Sequence, residues 1–232
     1  MIYITGDTHG DHVRFTENNM GDNEWTSEDY LIVCGDFGYI FRNNESEKEF
    51  LNYLETKPYT ICFCDGNHEN FPAIYSYPEE EWNGGRIHRI RKNIVHLMRG
   101  QVYEIENKTF FVFGGAYSID KAWRAEGVSW WPEEQPTKEE FSIGIRNLEK
   151  YNFNVDYIIT HTAPQAIIER LIERQPWHIR ASFKMNHQEN KLMGDLGEIL
   201  YKTNFHHWYF GHWHFDQTDE KYTAVYFDVH SI

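Results

Sequence analysis

Cys64-Asp65-Gly66-Asn67-His68-Glu69 closes the apolar run Tyr59-Thr60-Ile61-Cys62-Phe63, and its reading decides the fold. The run is β-branched, aromatic or thiol-bearing, as a buried strand requires, and Gly66 is expected to let the backbone turn sharply after it. In open α/β sheets, ligands gather at such carboxyl ends of strands. Taken alone, Gly66-Asn67-His68-Glu69 reads first as a polar turn with a surface histidine. Repetition decides between the two readings. Residues 1–5 run into Gly6-Asp7-Thr8-His9, and residues 30–34 run into Gly35-Asp36. Residues 155–160 end on His161, and residues 207–210 end on Gly211-His212-Trp213-His214.

Working outward, residues 1–64 read as strand, helix, strand, helix, strand, with helices over 11–20 and 44–56. Right-handed crossovers make these strands parallel and bring Asp7, Asp36 and Asn67 to one edge of the sheet. After Glu69 an irregular aromatic stretch is expected as far as Gly85. The apolar runs at 94–97, 101–106 and 109–113 then predict an antiparallel meander, in a second sheet packed on the first. Residues 114–136 are too long and too rich in Gly and Pro for a plain connector. A helix follows from Thr137 to about Lys150, opened by a capping box of Thr137 and Glu140. Another starts at Pro164, an insertion spans 174–188, a helix covers 189–202, and strands lie near 206–210 and 222–229. No repeat, linker or low-complexity segment interrupts the chain. One domain is expected over 1–232, with loop insertions near 114–136 and 174–188.

The 232 residues, 41% hydrophobic and 17% aromatic, suffice for a packed core without a metal staple. No segment approaches the ~20 apolar residues of a membrane span. With the first strand beginning at Met1 and no secretory signal in view, a cytoplasmic location is expected. Cys34, Cys62 and Cys64 sit in or at the end of apolar runs, which predicts buried reduced thiols rather than a zinc or redox site. The formal charge of −14 disfavours tight, non-specific duplex binding. Two stretches run the other way, residues 86–99 and 170–191, both rich in Arg, Lys and His; solvated faces are the plain reading of each.

Asp7, His9, Asp36, Asn67, His161, His212 and His214 offer oxygen and imidazole donors with no thiolate, a set suited to Mn²⁺, Fe²⁺, Zn²⁺ or Ni²⁺. Seven donors exceed one tetrahedral site. Two ions about 3.5 to 4 Å apart, sharing a carboxylate, would use them all and could clamp a phosphoryl group for in-line attack by an activated hydroxide. On extended backbone, residues two apart point to the same side, which is the expected reason for Asp7-x-His9 and His212-x-His214.

These blocks resemble those of the calcineurin-like metallophosphoesterases, whose pattern is Asp-x-His, Gly-Asp-x-x-Asp-Arg, Gly-Asn-His-Asp/Glu, a lone His and Gly-His-x-His. The resemblance spans Asp7 to His214. It implies an α/β fold, a four-layer α/β/β/α sandwich of two mixed β-sheets flanked by helices. It also implies that Asp7, His9, Asp36 and His214 hold one metal and Asp36, Asn67, His161 and His212 the other. Asp36 would bridge, and His68 would protonate the leaving oxygen.

One block departs from the pattern: Gly35-Asp36-Phe37-Gly38-Tyr39-Ile40 lacks the second Asp and the Arg. A replacement cation is expected among Arg42, Arg86, Arg89, Lys121 and Arg124, or the substrate carries less charge, as a diester does. The basic insertion, with His178, Arg180, Lys184 and His187, could overhang the site, and Trp123, Trp130 and Trp131 could stack a base. The leading expectation is a binuclear metal phosphoesterase acting on a small phosphorylated molecule or nucleotide, as a phosphomonoester or phosphodiester. A nucleic-acid phosphodiesterase and an inactive protein-binding scaffold are the alternatives. Substrate, metal identity and oligomeric state stay open at this level.

Overall fold

The computed structural model describes every residue except 17, 179 and 182–190, and places its strands in two mixed sheets. In the first, β1 (Ile2–Thr5), β2 (Tyr30–Val33) and β3 (Thr60–Phe63) lie parallel and adjacent. The sheet continues through β4 (Glu79–Trp82), β5 (Gly85–Arg91) and β6 (Ile94–Leu97), with β6 parallel to β3 and the other two pairings antiparallel. The second sheet is built from β7 (Gln101–Ile105), β8 (Lys108–Phe113), β9 (Tyr157–Thr160), β10 (His207–Phe210), β11 (Gln217–Asp219) and β12 (Tyr222–Ala224). Its centre, from β8 through β9 and β10 to β12, is parallel. A short β13 (His230–Ser231) returns the chain to the free edge of β1.

Period-two alternation divides each central strand between two cores. On β2, Leu31 and Val33 face outward, while Ile32 points between the sheets. On β3, Ile61 and Phe63 face outward while Cys62 points inward, followed by Cys64. On β8, Phe110 and Val112 meet the first sheet, and Phe111 and Phe113 face the opposite way. The outer face of the first sheet is covered by α1 (Val13–Thr16), α2 (Glu45–Glu55) and α3 (Phe71–Tyr75), which contribute Phe15, Phe50, Leu51, Leu54 and Ile74. The second is covered by α4 (Lys138–Lys150), α5 (Gln165–Ile172) and α6 (Lys191–Lys202), through Leu148, Ile168, Leu171, Leu196 and Ile199. Three apolar layers between four structural ones make the α/β/β/α sandwich. The three cysteines are free and buried in the middle layer.

The capping box of Thr137 and Glu140 forms, with the Glu140 N–H donating to Thr137 Oγ1 at 3.2 Å and the Thr137 N–H to Glu140 Oε2 at 2.7 Å. Elsewhere the expected pattern is revised. The meander at 94–113 is split: β6 belongs to the first sheet and only β7 and β8 pair in the second. Ile94, Val95 and Leu97 are buried because β6 lies between β3 and β5, so hydrophobicity alone gave no sign of which sheet it joined. Residues 70–85 are not irregular but carry α3 and β4, hidden by the exposed Glu79-Glu80-Glu81 edge. The expected helix at 11–20 shrinks to α1, and the strand at 222–229 to β12. Much of the 174–188 insertion, with Lys184 and His187, lies outside the described residues. No described helix is long and apolar enough to cross a membrane.

Candidate metal centre

The carboxyl ends of β1, β2 and β3 are laced together by their own backbone. Asp7 N–H donates to Gly35 O at 3.2 Å, His9 N–H to Asp36 O at 2.8 Å and Gly10 N–H to Phe37 O at 3.0 Å. Asp7, His9, Asp36, His212 and His214 all have positive φ, between 45° and 71°. Non-glycine residues rarely adopt this left-handed region, and its concentration here marks strain held by the surrounding fold. It also revises the expected geometry of Asp7-x-His9 and His212-x-His214. The members of each pair converge because the chain curls, not because it is extended.

Gly66 has an ordinary φ and is needed for a different reason from a sharp turn: a Cβ there would lie 2.0 Å from Asp36 Oδ1 and 2.5 Å from Asp36 N. Gly35 combines both demands, with φ of +85° and His161 Nδ1 only 2.2 Å from where a Cβ would stand.

All seven donor residues expected from the sequence come together. Asp7, His9, Asp36 and His214 each offer an atom within 4.8 Å of the others. His9 Nε2 stands 3.0 Å from His214 Nε2 and 3.7 Å from Asp36 Oδ2, and His214 Nε2 is 3.5 Å from Asp7 Oδ1. On the other side, His161 Nε2 lies 3.4 Å from Asp36 Oδ1 and 3.1 Å from Asn67 Oδ1, with the His212 ring 5.0 Å from that of His161. Asp36 is thus common to both groups and is 1% exposed.

The electrostatics follow from this crowding. Burial works to raise the Asp36 carboxyl, but His161 overrides it and holds the group well below the usual carboxylate range. Burial works to lower His161, but Asp36 raises its pKa to about 10. His212, half-buried beside His161, is pushed well down by desolvation and then by His161. The set alternates oxygen and imidazole donors around a shared carboxylate, a chemistry that fits borderline divalent cations.

Supporting contacts aim the donors. The Asp7 carboxylate accepts the His212 N–H at 2.8 and 3.0 Å. His161 Nδ1 is 2.8 Å from Cys34 O, which leaves Nε2 toward the centre. Asn67 Nδ2 donates to Ser118 Oγ at 3.1 Å, turning its oxygen inward. Ser118 was not visible as a functional residue in the sequence, because nothing in a Gly-rich loop signals which hydroxyl will meet a ligand. Glu69 is fully buried, its Oε1 accepting the Phe37 N–H at 2.8 Å and so fixing the backbone after Asp36; burial raises its carboxyl well above the ordinary range.

His68 sits at the rim of the cluster, its ring 5.4 Å from that of His9 and its backbone N–H donated to Asp36 Oδ1 at 2.8 Å. Its imidazole faces Arg124: Nη1 lies 2.8 Å from Nδ1 and Nη2 3.1 Å from Nε2. Burial first, and then Arg124 among its neighbours, lowers the His68 pKa. Of the other candidate cations, Arg86 and Arg89 pair with Glu79 and Glu80 on β4, and Lys121 lies over the Tyr117 ring at 4.1 Å. Arg42 lines a cavity of about 390 Å³ together with His9, His12, Tyr39, Phe41 and His68. Trp131 is buried edge-on to Phe41, whereas Trp123 is 91% exposed.

No curated protein matches the chain. The calcineurin-like phosphoesterase family profile matches residues 1–216 of the 232, from the first strand through every donor described above. The chain belongs to the calcineurin-like phosphoesterases, a family of metal-dependent phosphoester hydrolases.

Proposed function

We propose that this chain hydrolyses a phosphate ester of a small molecule or nucleotide at a binuclear centre held by Asp7, His9, Asp36, Asn67, His161, His212 and His214, with His68 as general acid. The observation that carries the reading is the position of Asp36, one oxygen 3.7 Å from His9 Nε2 and the other 3.4 Å from His161 Nε2. A carboxylate so placed serves two half-sites at once. Two divalent ions held there would supply Lewis acidity toward a phosphoryl group and toward a water nucleophile near neutral pH.

The protein's own groups do the rest. The Cys34 carbonyl and the Ser118 hydroxyl orient His161 and Asn67, so both present their donor atoms before anything binds. His68, tied through its backbone to Asp36, stands beside the cluster with its ring against Arg124, where a leaving oxygen would meet it by displacing one of those contacts. Burial and Arg124 weaken its hold on a proton, and an arriving phosphate anion strengthens it again. The cavity of about 390 Å³ between His9, His68 and Arg42 is of the size that receives a small organic group.

The test is a screen of metal-stripped protein reloaded with Mn²⁺, Ni²⁺, Zn²⁺ or Fe²⁺ against aryl monoesters, aryl diesters and nucleotides. Turnover with at least one metal, and two ions per chain by elemental analysis, are expected. A fully loaded preparation that turns over none of them, or that binds a single ion, overturns the reading.

A further inference from the structure

We infer that Arg124 binds a phosphate oxygen and makes this a site for phosphate monoesters rather than diesters; the inference rests on the phosphoesterase reading above. Arg124 comes from the 114–136 loop, which is fastened to the centre at several points. Gly115 N–H donates to Asp65 O at 2.9 Å, Ser118 Oγ accepts from Asn67 and Ser118 N–H donates to Glu134 Oε1 at 3.1 Å. The guanidinium itself is held from outside, by Asp120 Oδ2 at 2.7 Å from Nη2 and by Ser129 O at 3.1 Å from Nη1. Each terminal nitrogen therefore keeps one N–H for the His68 side.

Those two N–H groups meet a partner that cannot satisfy both. A neutral imidazole has a single lone pair, and its other nitrogen carries a proton, so one of the contacts at 2.8 and 3.1 Å lacks an acceptor. A positioned guanidinium N–H without an acceptor, beside the donor cluster, is a place for an anionic oxygen. Arg124 is 17% exposed at its side chain, so an ion pair formed there is screened by salt less than one at the surface.

The substrate class follows from counting oxygens. A phosphodiester has two non-bridging oxygens, and both would be engaged if it lay against ions held by the metal-binding cluster. A phosphomonoester has a third, which can accept from a donor standing outside the cluster, where Arg124 stands. In a diester that position holds an ester oxygen with its substituent, a poor acceptor that crowds the guanidinium.

The experiment compares wild type, Arg124→Met and Arg124→Lys, all metal-loaded, with melting temperature and metal content measured on the same samples. Inorganic phosphate affinity is read by calorimetry, and kcat/KM is read on nitrophenyl phosphate and on bis(nitrophenyl) phosphate. The expected result for Arg124→Met is unchanged metal content, phosphate affinity and monoester kcat/KM reduced roughly 10- to 100-fold, and a much smaller change on the diester. Arg124→Lys should recover part of the loss, since it restores charge without the fork. Equal losses on both esters, unchanged phosphate affinity, or loss of metal from Arg124→Met overturns the assignment. Wild type inactive with every metal sinks the phosphoesterase reading instead, while the phosphate titration still reports on Arg124.

Discussion

At His68 and Asn67, neighbours in sequence part company: the Asn67 oxygen turns toward His161, while His68 meets Arg124. If His68 is the acid, His68→Ala should keep both metals, lose roughly 10² to 10⁴-fold on alkyl phosphates and lose much less on nitrophenyl esters, whose phenolate leaves unaided. A leaving-group series with metal analysis checks this; an equal loss across the series removes the acid role, and lost metal makes His68 a ligand. His161 gives a second expectation. With its pKa raised to about 10 by Asp36, it is protonated at pH 7 in the metal-free chain, so metal uptake must expel a proton and affinity must rise with pH toward that value. Calorimetry at pH 7 in buffers of different ionisation enthalpy should show proton release that falls in His161→Gln, with His214, raised by its hydrogen bond to Asp7, contributing to what remains. That the seven expected residues would converge was legible in the sequence because each ends an apolar run. What orients Asn67 and His161 was not: Ser118 and the Cys34 carbonyl act through contacts 51 and 127 residues away along the chain, which no local pattern encodes.

At the scale of the element, the loop after β3 owes its position to a buried ion pair. Asp65 accepts from Arg99 Nη2 at 2.6 Å and Nε at 2.9 Å, and faces His96 Nε2 at 3.1 Å. Burial works against its charge, yet Arg99 and then His96 hold the carboxyl well below the ordinary range. Arg99→Met leaves that charge unpaired and should cost roughly 3 to 5 kcal/mol, read as a lower denaturant midpoint, whereas the double change with Asp65→Asn should recover much of it. The next residue of this chain of contacts is His88 on β5, whose Nδ1 is 3.0 Å from His96 Nδ1; burial lowers its pKa to about 4. A depressed histidine binds protons in the unfolded chain first, so its stabilising effect is complete above about pH 6.5 and is lost as pH falls toward 4. Metal-free protein should therefore lose stability over that window by an amount on the order of 1 to 3 kcal/mol, and His88→Gln should flatten the curve of unfolding free energy against pH. The strands β1 to β3 and their shared edge could be read from alternation and spacing. The partition of β6 from β7 could not, because both are apolar and only long-range pairing with Ile61 and Phe63 decides it.

For the whole molecule, the question raised by the sequence is whether two basic stretches offset a charge of −14 enough to receive nucleic acid. The fold answers through pairing. Arg86 and Arg89 on β5 lie against Glu79 and Glu80 on β4, so these two cations of the run at 86–99 are matched by acids of the adjacent strand. Arg99 is buried with Asp65 and Glu140 and cannot reach a surface ligand. In the second stretch, Arg170 and Arg174 both converge on Asp219 at 2.6 Å, and Arg170 also faces Glu220 at 3.6 Å. Among the described residues, Arg86, Arg89, Arg99, Arg170 and Arg174 are thus drawn into local pairs with acids, and the long-range field is set by the net negative charge. Duplex binding draws its affinity from cations that displace counterions from the phosphates, and cations already paired with carboxylates release few. Fluorescence anisotropy with a duplex oligonucleotide should therefore show only weak binding at about 150 mM salt, weakening further as salt rises. Reversing the local balance gives the control. Glu79→Gln with Glu80→Gln frees Arg86 and Arg89 together, and should strengthen binding at low salt while steepening its salt dependence. Tight binding by the unaltered chain at 150 mM salt would mean that these pairs open to a polyanion, and would move the substrate from small molecules toward nucleic acid.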